Sequence, residues 1–576
     1  MMNDYMKEYK SWLESAYIDE ETKKELLSIK ENKEEIKERF FKDLEFGTAG
    51  LRGKIGAGTN RMNKYIVARV TQALADFINS KGEERAQRGV VIAYDVRHFS
   101  KDFARITAEV LAGNGIKVYI FDDIRPTPML SFAVRHLNAT AGIVITASHN
   151  PPEYNGYKVY WEEGSQILDD VAIPVQENIK KIKDFGVIKK ISFDEGISKN
   201  LIEIIGKEVD NVYYENVLSL ALNDEIDKNI KIVYTPLNGT GNIHVRHILK
   251  ERGFNNVYVV KEQELPDPNF STVGYPNPED IKAFKLALEL AREKDADIAL
   301  ATDPDCDRLA VMVKHNGEYV ALNGNQTGAI LIQYLLSQRY EKKLLSDKSM
   351  IIKSIVTGNL GKMIADEYKV YTFETLTGFK NICGLENKLE KEGYQFEFGY
   401  EESIGFVTGN FVRDKDGVIS AMIVSEAAGF YKKEGKTLVD VLNEIYEKYG
   451  YYLENNFSLI YEGIEGLEKI SNIMKHYRNN FPKKIGNLQL VKYIDYLEGN
   501  EYDQSGNIIG KVNREHIPTS NVLRFFFDDG SWYALRPSGT EPKLKIYIYS
   551  FAKTREESEE KLKLIEKTFR NIVESI

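Results

Sequence analysis

The sequence predicts an α/β protein: three consecutive α/β domains with mixed, mainly parallel sheets, followed by a C-terminal α+β domain. Three observations predict it. Apolar, β-branched runs alternate with amphipathic helical stretches, and the order strand–helix–strand–helix–strand occurs three times before residue 452. The chain has 576 residues, room for about three to five domains. The last stretch breaks the alternation and ends on a strand-like run, KLKIYIYSF.

Residues 1–40 read as charged helix, and the Lys/Glu run within them reads as a solvated face, not a binding patch. The first α/β series occupies 41–210: strands GVVIAYD (89–95), KVYIFD (117–122) and GIVITAS (142–148), with helices over 99–113 and 127–137. The second occupies 211–323: IKIVYTP (230–236), NNVYVV (255–260) and ADIALATD (296–303), with helices over 241–252 and 278–294. The third occupies 324–452: MIIKSIVT (350–357), KVYTFET (369–375) and FEFGYEE (396–402), separated by helices. Residues 453–576 form the α+β domain, and linkers are expected near 205–225, 322–326 and 450–456. The order of elements repeats, but the residues do not, so this is no repeat family.

Hydrophobic residues make up 43% and charged residues 28%, the balance of an ordinary globular protein. The net charge of −10, from 77 basic and 87 acidic residues, argues against a general nucleic-acid or membrane-surface binder. Any phosphate site must therefore be local. The two cysteines, Cys306 and Cys383, give neither a disulfide framework nor a metal-ligand spacing and point to a reducing compartment. The N-terminal stretch MMNDYMKEYKSWLES has no apolar signal core, and no run reaches the ~18 apolar residues of a membrane span. A cytoplasmic protein is expected.

In open α/β sheets, ligands bind beyond the carboxyl ends of the strands, and three loops of interest follow strands. In GIVITASHNPPEYNGYKVY (142–160), Ser148 is expected to end a strand and project its hydroxyl from the sheet edge. His149 and Asn150 add polar groups, and Pro151 and Pro152 stiffen the exit. One hydroxyl on a rigid loop suits a nucleophile. A simple capped turn is the plainer alternative, and the absence of G-x-S-x-G disfavours an α/β-hydrolase.

In ATDPDCDRLAVMV (301–313), Asp303, Asp305 and Asp307 alternate directly after an apolar strand. Carboxylates that close repel one another unless a cation sits among them, and hard oxygen ligands select Mg²⁺ or Ca²⁺. The EF-hand pattern fails, because Arg308 stands where its glycine belongs and Lys314 where its glutamate belongs. Three protein carboxylates leave positions open, which suits Mg²⁺ bridging to a phosphate. An exposed acidic turn is the alternative.

In FGYEESIGF (398–406), Glu401, Glu402 and Ser403 offer acceptors for sugar hydroxyls or are simple surface acids. Two further segments are glycine-rich. EFGTAGLRGKIGAGTNRMN (45–63) surrounds Arg52, and LRPSGTEPKLKIY (535–547) sets Arg536 beside Ser538, Gly539 and Thr540. Backbone N–H groups with an arginine and hydroxyls make an anion site, although the lysine and spacing of a P-loop are missing.

Together these segments resemble the α-D-phosphohexomutase superfamily of phosphoglucomutases and phosphomannomutases, from about residue 41 to the end and in the family's domain order. TASHNPPEYNGYKV resembles the family's active-serine loop. DPDCDR resembles its D-G-D-G-D-R metal loop, with Pro304 and Cys306 in place of both glycines. GYEES resembles its sugar-binding loop, with Tyr400 replacing a glycine, and RPSGTEPK resembles its phosphate-binding loop.

The resemblance implies a heart-shaped four-domain fold around a central cleft, in which Ser148 carries a phosphoryl group and Mg²⁺ is held by Ser148, Asp303, Asp305 and Asp307. It implies that the phosphoserine donates to a sugar monophosphate, giving a bisphosphate that turns over and returns its other phosphate. Arg536, Ser538, Gly539 and Thr540 would hold the phosphate that is not reacting. Arg52, Lys158 and His149 would lie at the nucleophile as catalytic groups. Arg308, Thr377, Gly378 and Lys380 (the last three in TLTGFKNI, 375–382), with Glu401 and Ser403, would bind substrate.

The segment FGTAGLRGKIGAGTNRMN, with Ala49 where the shorter bacterial enzymes carry an aspartate, resembles the branch that also holds phosphopentomutases and glucose-1,6-bisphosphate synthases. The implied reaction interconverts α-D-glucose 1-phosphate and D-glucose 6-phosphate, with glucose 1,6-bisphosphate as activator. Phosphomannomutase or phosphopentomutase activity on the same scaffold is the alternative, and a non-catalytic sugar-phosphate sensor the remote one. The implied partners are small sugar phosphates, with no nucleic acid and no membrane.

Overall fold

The computed structural model describes residues 4–47, 50–461, 463–538 and 543–576, the side chains of 463 and 464 excepted. The charged N-terminal stretch is three helices, Asp4–Glu14, Glu20–Ser28 and Lys33–Phe40, not one. Caps set the breaks: Asp19 accepts the Thr22 N–H at 2.8 Å, and Asn32 accepts the Glu35 N–H at 3.1 Å. Each satisfies a first-turn donor that has no partner inside its helix. Trp12, Leu26, Ile36 and Phe40 are buried in the core of the first α/β domain, so the extension is packed on its apolar side and solvated on the other.

The chain divides into two compact units, residues 1–323 with 403–437, and residues 324–402 with 438–576. The first holds two mixed sheets. One contains β1 (Leu51–Lys54), β2 (Val90–Tyr94), β3 (Val118–Phe121), β4 (Ala141–Ile145), β5 (Tyr154–Trp161) and β6 (Ile202–Ile205) in the order β1-β5-β4-β2-β3-β6. β4, β2, β3 and β6 run parallel, while β5 and β1 return antiparallel along one edge. The other contains β7 (Ile232–Thr235), β8 (Val257–Val259), β9 (Ile298–Thr302), β10 (Leu309–His315) and β11 (Glu318–Leu322) in the order β11-β10-β9-β7-β8. Here β9, β7 and β8 are parallel, and β10 doubles back on β9 directly after residues 303–308. The central strands β2, β4, β7 and β9 are buried along their whole length, which explains their unbroken apolar runs. This unit also contains β15 (Gly405–Val407) and the helix Gly417–Lys433.

In the second unit, β12 (Ser349–Ser354) pairs in parallel with both β13 (Tyr371–Thr375) and β14 (Gln395–Glu401). The C-terminal portion is strand-rich and antiparallel: β16 (Tyr451–Ile460), β17 (Lys484–Ile485), β18 (Leu488–Asp495), β19 (Asn500–Asp503), β20 (Ile508–Lys511), β21 (Leu523–Phe527), β22 (Trp532–Pro537) and β23 (Lys543–Ala552). The order is β16-β23-β22-β21-β18-β19-β20, with β17 beside β18. The helix Arg555–Glu574 buries Ile565, Phe569 and Val573 with Ile546 and Ile548 of β23. Among the described residues, no helix is long and apolar enough to cross a membrane.

Three further expectations are corrected. The stretch read as linker at 205–225 contains the helix Lys207–Ser219, and that near 450–456 is the start of β16. Tyr213 and Val217 are fully buried in that helix, so burial overrides its polar composition. Strand β4 stops at Ile145, not at Ser148. The Thr146 hydroxyl accepts the Ser148 N–H at 2.8 Å, and Ser148 takes φ +51°, which turns the chain out of the sheet.

Candidate active site

Within the first unit, Ser148 follows the carboxyl end of β4 and the three aspartates follow the carboxyl end of β9. The structure brings them together. Ser148 Oγ donates to Asp303 Oδ2 at 2.9 Å and lies 3.3 Å from His149 Nδ1. Only 4% of Ser148 is exposed. The hydroxyl thus sits on a turn beyond the sheet edge, facing the neighbouring loop.

Asp303, Asp305 and Asp307 are fully buried, and each offers a carboxylate oxygen within 4.8 Å of the others. Asp303 Oδ1 accepts the backbone N–H groups of Asp307 and Arg308, each at 3.1 Å, which folds the loop around that carboxylate. Cys306 takes φ +53° there, in the left-handed region that favours glycine. Asp305 Oδ2 accepts from Lys158 Nζ at 2.8 Å and from Thr127 Oγ1 at 2.9 Å. Asp307 Oδ2 lies 2.7 Å from Lys415 Nζ and 3.7 Å from Lys158 Nζ.

Burial, then the neighbouring Asp307 and Asp305, pushes the Asp303 carboxyl well above the usual carboxylate range. Burial also opposes charge on Asp305, but the Lys158 ammonium beside it more than reverses this and holds it below that range. Asp305 Oδ1 and Asp307 Oδ1 are buried without a hydrogen-bond partner. A buried carboxylate oxygen left unpaired is costly. Hard oxygen donors, converging and unsaturated, fit a divalent cation such as Mg²⁺.

Arg52 on β1 donates to Asn150 Oδ1 at 3.1 Å, which ties it to the serine loop. His149 has its imidazole pKa lowered well below the ordinary value, first by burial and then by the cationic Arg308 and Arg52. Its ring meets Tyr275 edge-on, with centroids 6.2 Å apart. Arg308 Nη1 bridges Glu279 Oε2 and the Ser403 carbonyl, each at 3.2 Å. Ser403 therefore enters through its main chain.

In the second unit, Glu401 at the end of β14 accepts the Gly378 N–H at 2.6 Å through Oε1. Thr377 and Lys380 are half-buried on either side of that contact. Glu402 Oε2 accepts from Ser354 at 3.2 Å and from Thr357 at 3.0 Å. Arg536 on β22 donates to the Tyr547 hydroxyl at 3.4 Å, and the Ser538 N–H donates to the Lys543 carbonyl at 2.7 Å. Gly539 and Thr540 lie outside the described residues, as do Thr48 and Ala49 near Arg52.

Sequence reasoning missed four groups at this site: Asp95, Arg97, Thr127 and Lys415. Asp95 and Arg97 directly follow β2, so the rule that found Ser148 and Asp303, to look beyond strand carboxyl ends, finds them as well. Lys415 and Thr127 carry no local signal, because their contacts reach across 108 and 178 residues.

Comparison with known proteins agrees along the chain. Models of the phosphoglucomutase/phosphomannomutase family match in sequence: α/β/α domain I over residues 43–185, domain II over 211–317, domain III over 323–449, and the C-terminal domain over 492–564. A phosphoglucomutase of Staphylococcus haemolyticus is 39% identical over 513 residues, covering 88% of this chain and 90% of its own. One from Staphylococcus aureus is 40% identical over 518 residues, covering 89% and 91%. In fold, the chain is similar to the open form of parafusin, a phosphoglucomutase from Paramecium, with TM-score 0.69 at 17% identity over 92% of this chain and 95% of that one. A phosphoglucomutase/phosphomannomutase family protein from Burkholderia thailandensis gives TM-score 0.66 at 17% identity over 92% and 97%. The chain belongs to the phosphoglucomutase/phosphomannomutase family, within the α-D-phosphohexomutase superfamily.

Proposed function

We propose that this protein is a phosphoglucomutase, interconverting α-D-glucose 1-phosphate and D-glucose 6-phosphate through a phosphoserine at Ser148 and a glucose 1,6-bisphosphate intermediate. One observation carries the reading: a buried serine hydroxyl at 2.9 Å from one of three buried, converging carboxylates, with an imidazole nitrogen at 3.3 Å. Relatives named phosphoglucomutase at 39–40% identity over nearly the whole chain support the choice of sugar.

Asp303, Asp305 and Asp307, with the Ser148 oxygen, would hold Mg²⁺, which when bound neutralises charge on the phosphoryl oxygens. In the transfer, the bond from phosphorus to Ser148 Oγ breaks and one to a sugar hydroxyl oxygen forms. The hydroxyl gives up a proton and Oγ takes one, so the step is proton-neutral. His149, within reach of Oγ, is assigned that proton. Lys158 and Arg52 stabilise charge on the moving group. Arg308, Thr377, Gly378, Lys380, Glu401 and Ser403 are assigned to the substrate. Arg536, Ser538, Gly539 and Thr540 are assigned to the phosphate that is not reacting, so that binding energy there positions the reacting end. The proposed domains are an extension at 1–40, α/β domains at 41–210, 211–323 and 324–452, and an α+β domain at 453–576, in a cytoplasmic enzyme.

The test is a mutase assay with Mg²⁺ and a trace of glucose 1,6-bisphosphate, offering glucose, mannose and ribose 1-phosphates separately to native protein and to Ser148→Ala. Preferred turnover of glucose 1-phosphate that collapses in the variant is expected. Robust turnover by Ser148→Ala would sink the serine as carrier, and preference for another sugar would reassign the substrate.

A further inference from the structure

Three main-chain carbonyls of the serine loop, and that of Tyr154 where β5 begins, converge on one guanidinium. Arg97 Nη2 donates to the carbonyl oxygens of Ser148 and Asn150, each at 2.5 Å. Its Nη1 donates to those of Pro151 at 2.8 Å and Tyr154 at 3.1 Å. A loop that leaves its sheet cannot satisfy its own carbonyls through strand pairing, although that of Pro151 also accepts the Tyr154 N–H at 3.1 Å, and a buried unpaired carbonyl costs about 1–3 kcal/mol. The planar fork of an arginine supplies several fixed donors at once, whereas a lysine offers one compact charge.

The guanidinium is itself fixed from behind. Its side chain is 0% exposed, and its Nε lies 3.3 Å from Asp95 Oδ2. Asp95 Oδ1 is held by the Ser100 hydroxyl at 2.7 Å and by the Arg97 N–H at 2.9 Å. The ring of Phe270 lies 5.0 Å from the guanidinium carbon. The same 267–279 segment brings Tyr275 against His149 and Glu279 to Arg308. Position is therefore relayed from the end of β2, through Asp95 and Arg97, to the backbone of the loop.

The loop needs this relay. Ser148 sits at φ +51°, which a non-glycine residue holds only where its surroundings over-determine it. The prolines limit the loop's freedom but do not anchor it to the sheet.

We propose that Arg97 is a positioning residue for phosphoryl transfer: by binding the carbonyls of Ser148, Asn150, Pro151 and Tyr154, it fixes where Ser148 Oγ stands. It touches no reacting atom. The inference rests on Ser148 being the phosphoryl carrier. A displacement of about 1 Å at a reacting atom is enough to cost about a hundredfold in rate, so the effect belongs in kcat and not in sugar affinity.

The experiment uses the full-length protein. Asp95→Asn/Arg97→Met removes both buried charges together, so neither is stranded. Arg97→Lys keeps the charge without the fork, and serves if the double variant does not fold. Two readouts are taken: kcat and KM for glucose 1-phosphate, and amide hydrogen exchange across residues 146–155. The expected result is kcat down about a hundredfold in the double variant, with KM within about threefold, faster exchange confined to the loop, and a smaller loss in Arg97→Lys. Exchange of the loop unchanged in a folded variant, or kcat within about threefold of native, would overturn the inference. So would faster exchange across the whole sheet with KM raised as much as kcat falls, the mark of a merely structural residue. If native protein turned over no sugar phosphate, the functional reading would fail by itself, and loop exchange would still decide whether Arg97 anchors the serine.

Discussion

Lys415 sets its ammonium 2.7 Å from Asp307, while Lys158 sets its own 2.8 Å from Asp305, so one half-buried and one buried lysine flank three buried aspartates. The cluster keeps one net negative charge when all five groups are ionised. A buried ammonium close to a cation site repels the cation by an amount that grows as the effective dielectric falls. Lys415→Met is therefore expected to tighten metal binding, by about tenfold at a partly screened separation. Mn²⁺ titration followed by electron paramagnetic resonance reads this directly. Unchanged or weaker binding would show that Lys415 does not share the field of the triad.

Gly239 closes the back of the aspartate loop. A Cβ there would stand 2.5 Å from the Pro304 Cα and 2.7 Å from its carbonyl oxygen. The Thr240 N–H and hydroxyl both bind that same carbonyl, at 2.8 and 3.0 Å, so the backbone has nowhere to retreat. Gly239→Ala must shift Pro304, which lies between Asp303 and Asp305. We expect a loss of about 1–3 kcal/mol in stability, together with weaker Mg²⁺ binding measured by calorimetry. Native affinity in this variant would mean that the loop absorbs the methyl without moving its carboxylates.

Buried oxygens without a hydrogen-bond partner on Asp305 and Asp307 lead us to expect that a bound cation would stabilise the first unit. A ligand that binds only the folded state at a hundred times its Kd stabilises by about 2.7 kcal/mol. Thermal unfolding in Mg²⁺ against EDTA should differ by several degrees. Asp303→Asn should abolish most of that difference, because it removes one of the three carboxylates that would hold the cation. A Tm insensitive to chelation would count against a resident metal.

The parallel strands β2–β4, β7–β9 and β12–β14 were legible, since buried parallel strands leave unbroken apolar runs such as ADIALATD, and polar loops interrupt them where they leave the sheet. What failed was local competition. Thr146 and Ala147 continue the pattern of β4, and the hydroxyl of Thr146, turned back onto the Ser148 N–H, together with the positive φ of Ser148 takes the chain out of the sheet. At the N-terminus the charged periodicity runs through Asp19 and Asn32, and their capping bonds are what divide it. Of the candidate site, Ser148, His149, Lys158 and the aspartates stood out because each belongs to a short, chemically unusual string. Arg97 and Lys415 did not, because the one works through carbonyls of a loop 51 to 57 residues away and the other through a carboxylate 108 residues away.

Acid stability in the second unit should depend on Glu374. Its carboxylate, on β13, receives Lys353 Nζ at 2.8 Å and Arg524 Nη1 at 3.1 and 3.2 Å. Lys353 and Arg524 are almost wholly buried, and Arg524 lies over Trp532 with 4.0 Å from its carbon to the ring centre. Burial alone would raise the Glu374 pKa, but Arg524 and then Lys353 reverse this and bring it from 4.5 down to about 2. A depressed carboxylate pKa contributes stability that is fully present above the unfolded value and lost as pH falls through the folded one. The window is therefore from pH 4.5 to about 2, and the contribution at stake is no more than about 3 kcal/mol, since the side chain keeps some contact with water. Glu374→Gln strands two buried cations, so it should cost about 3–5 kcal/mol at pH 7 while flattening the loss of stability on acidification. Urea unfolding at pH 7, 4.5 and 3 separates the two effects. A variant that lost stability between pH 4.5 and 3 as steeply as the native protein would place the titrating group elsewhere.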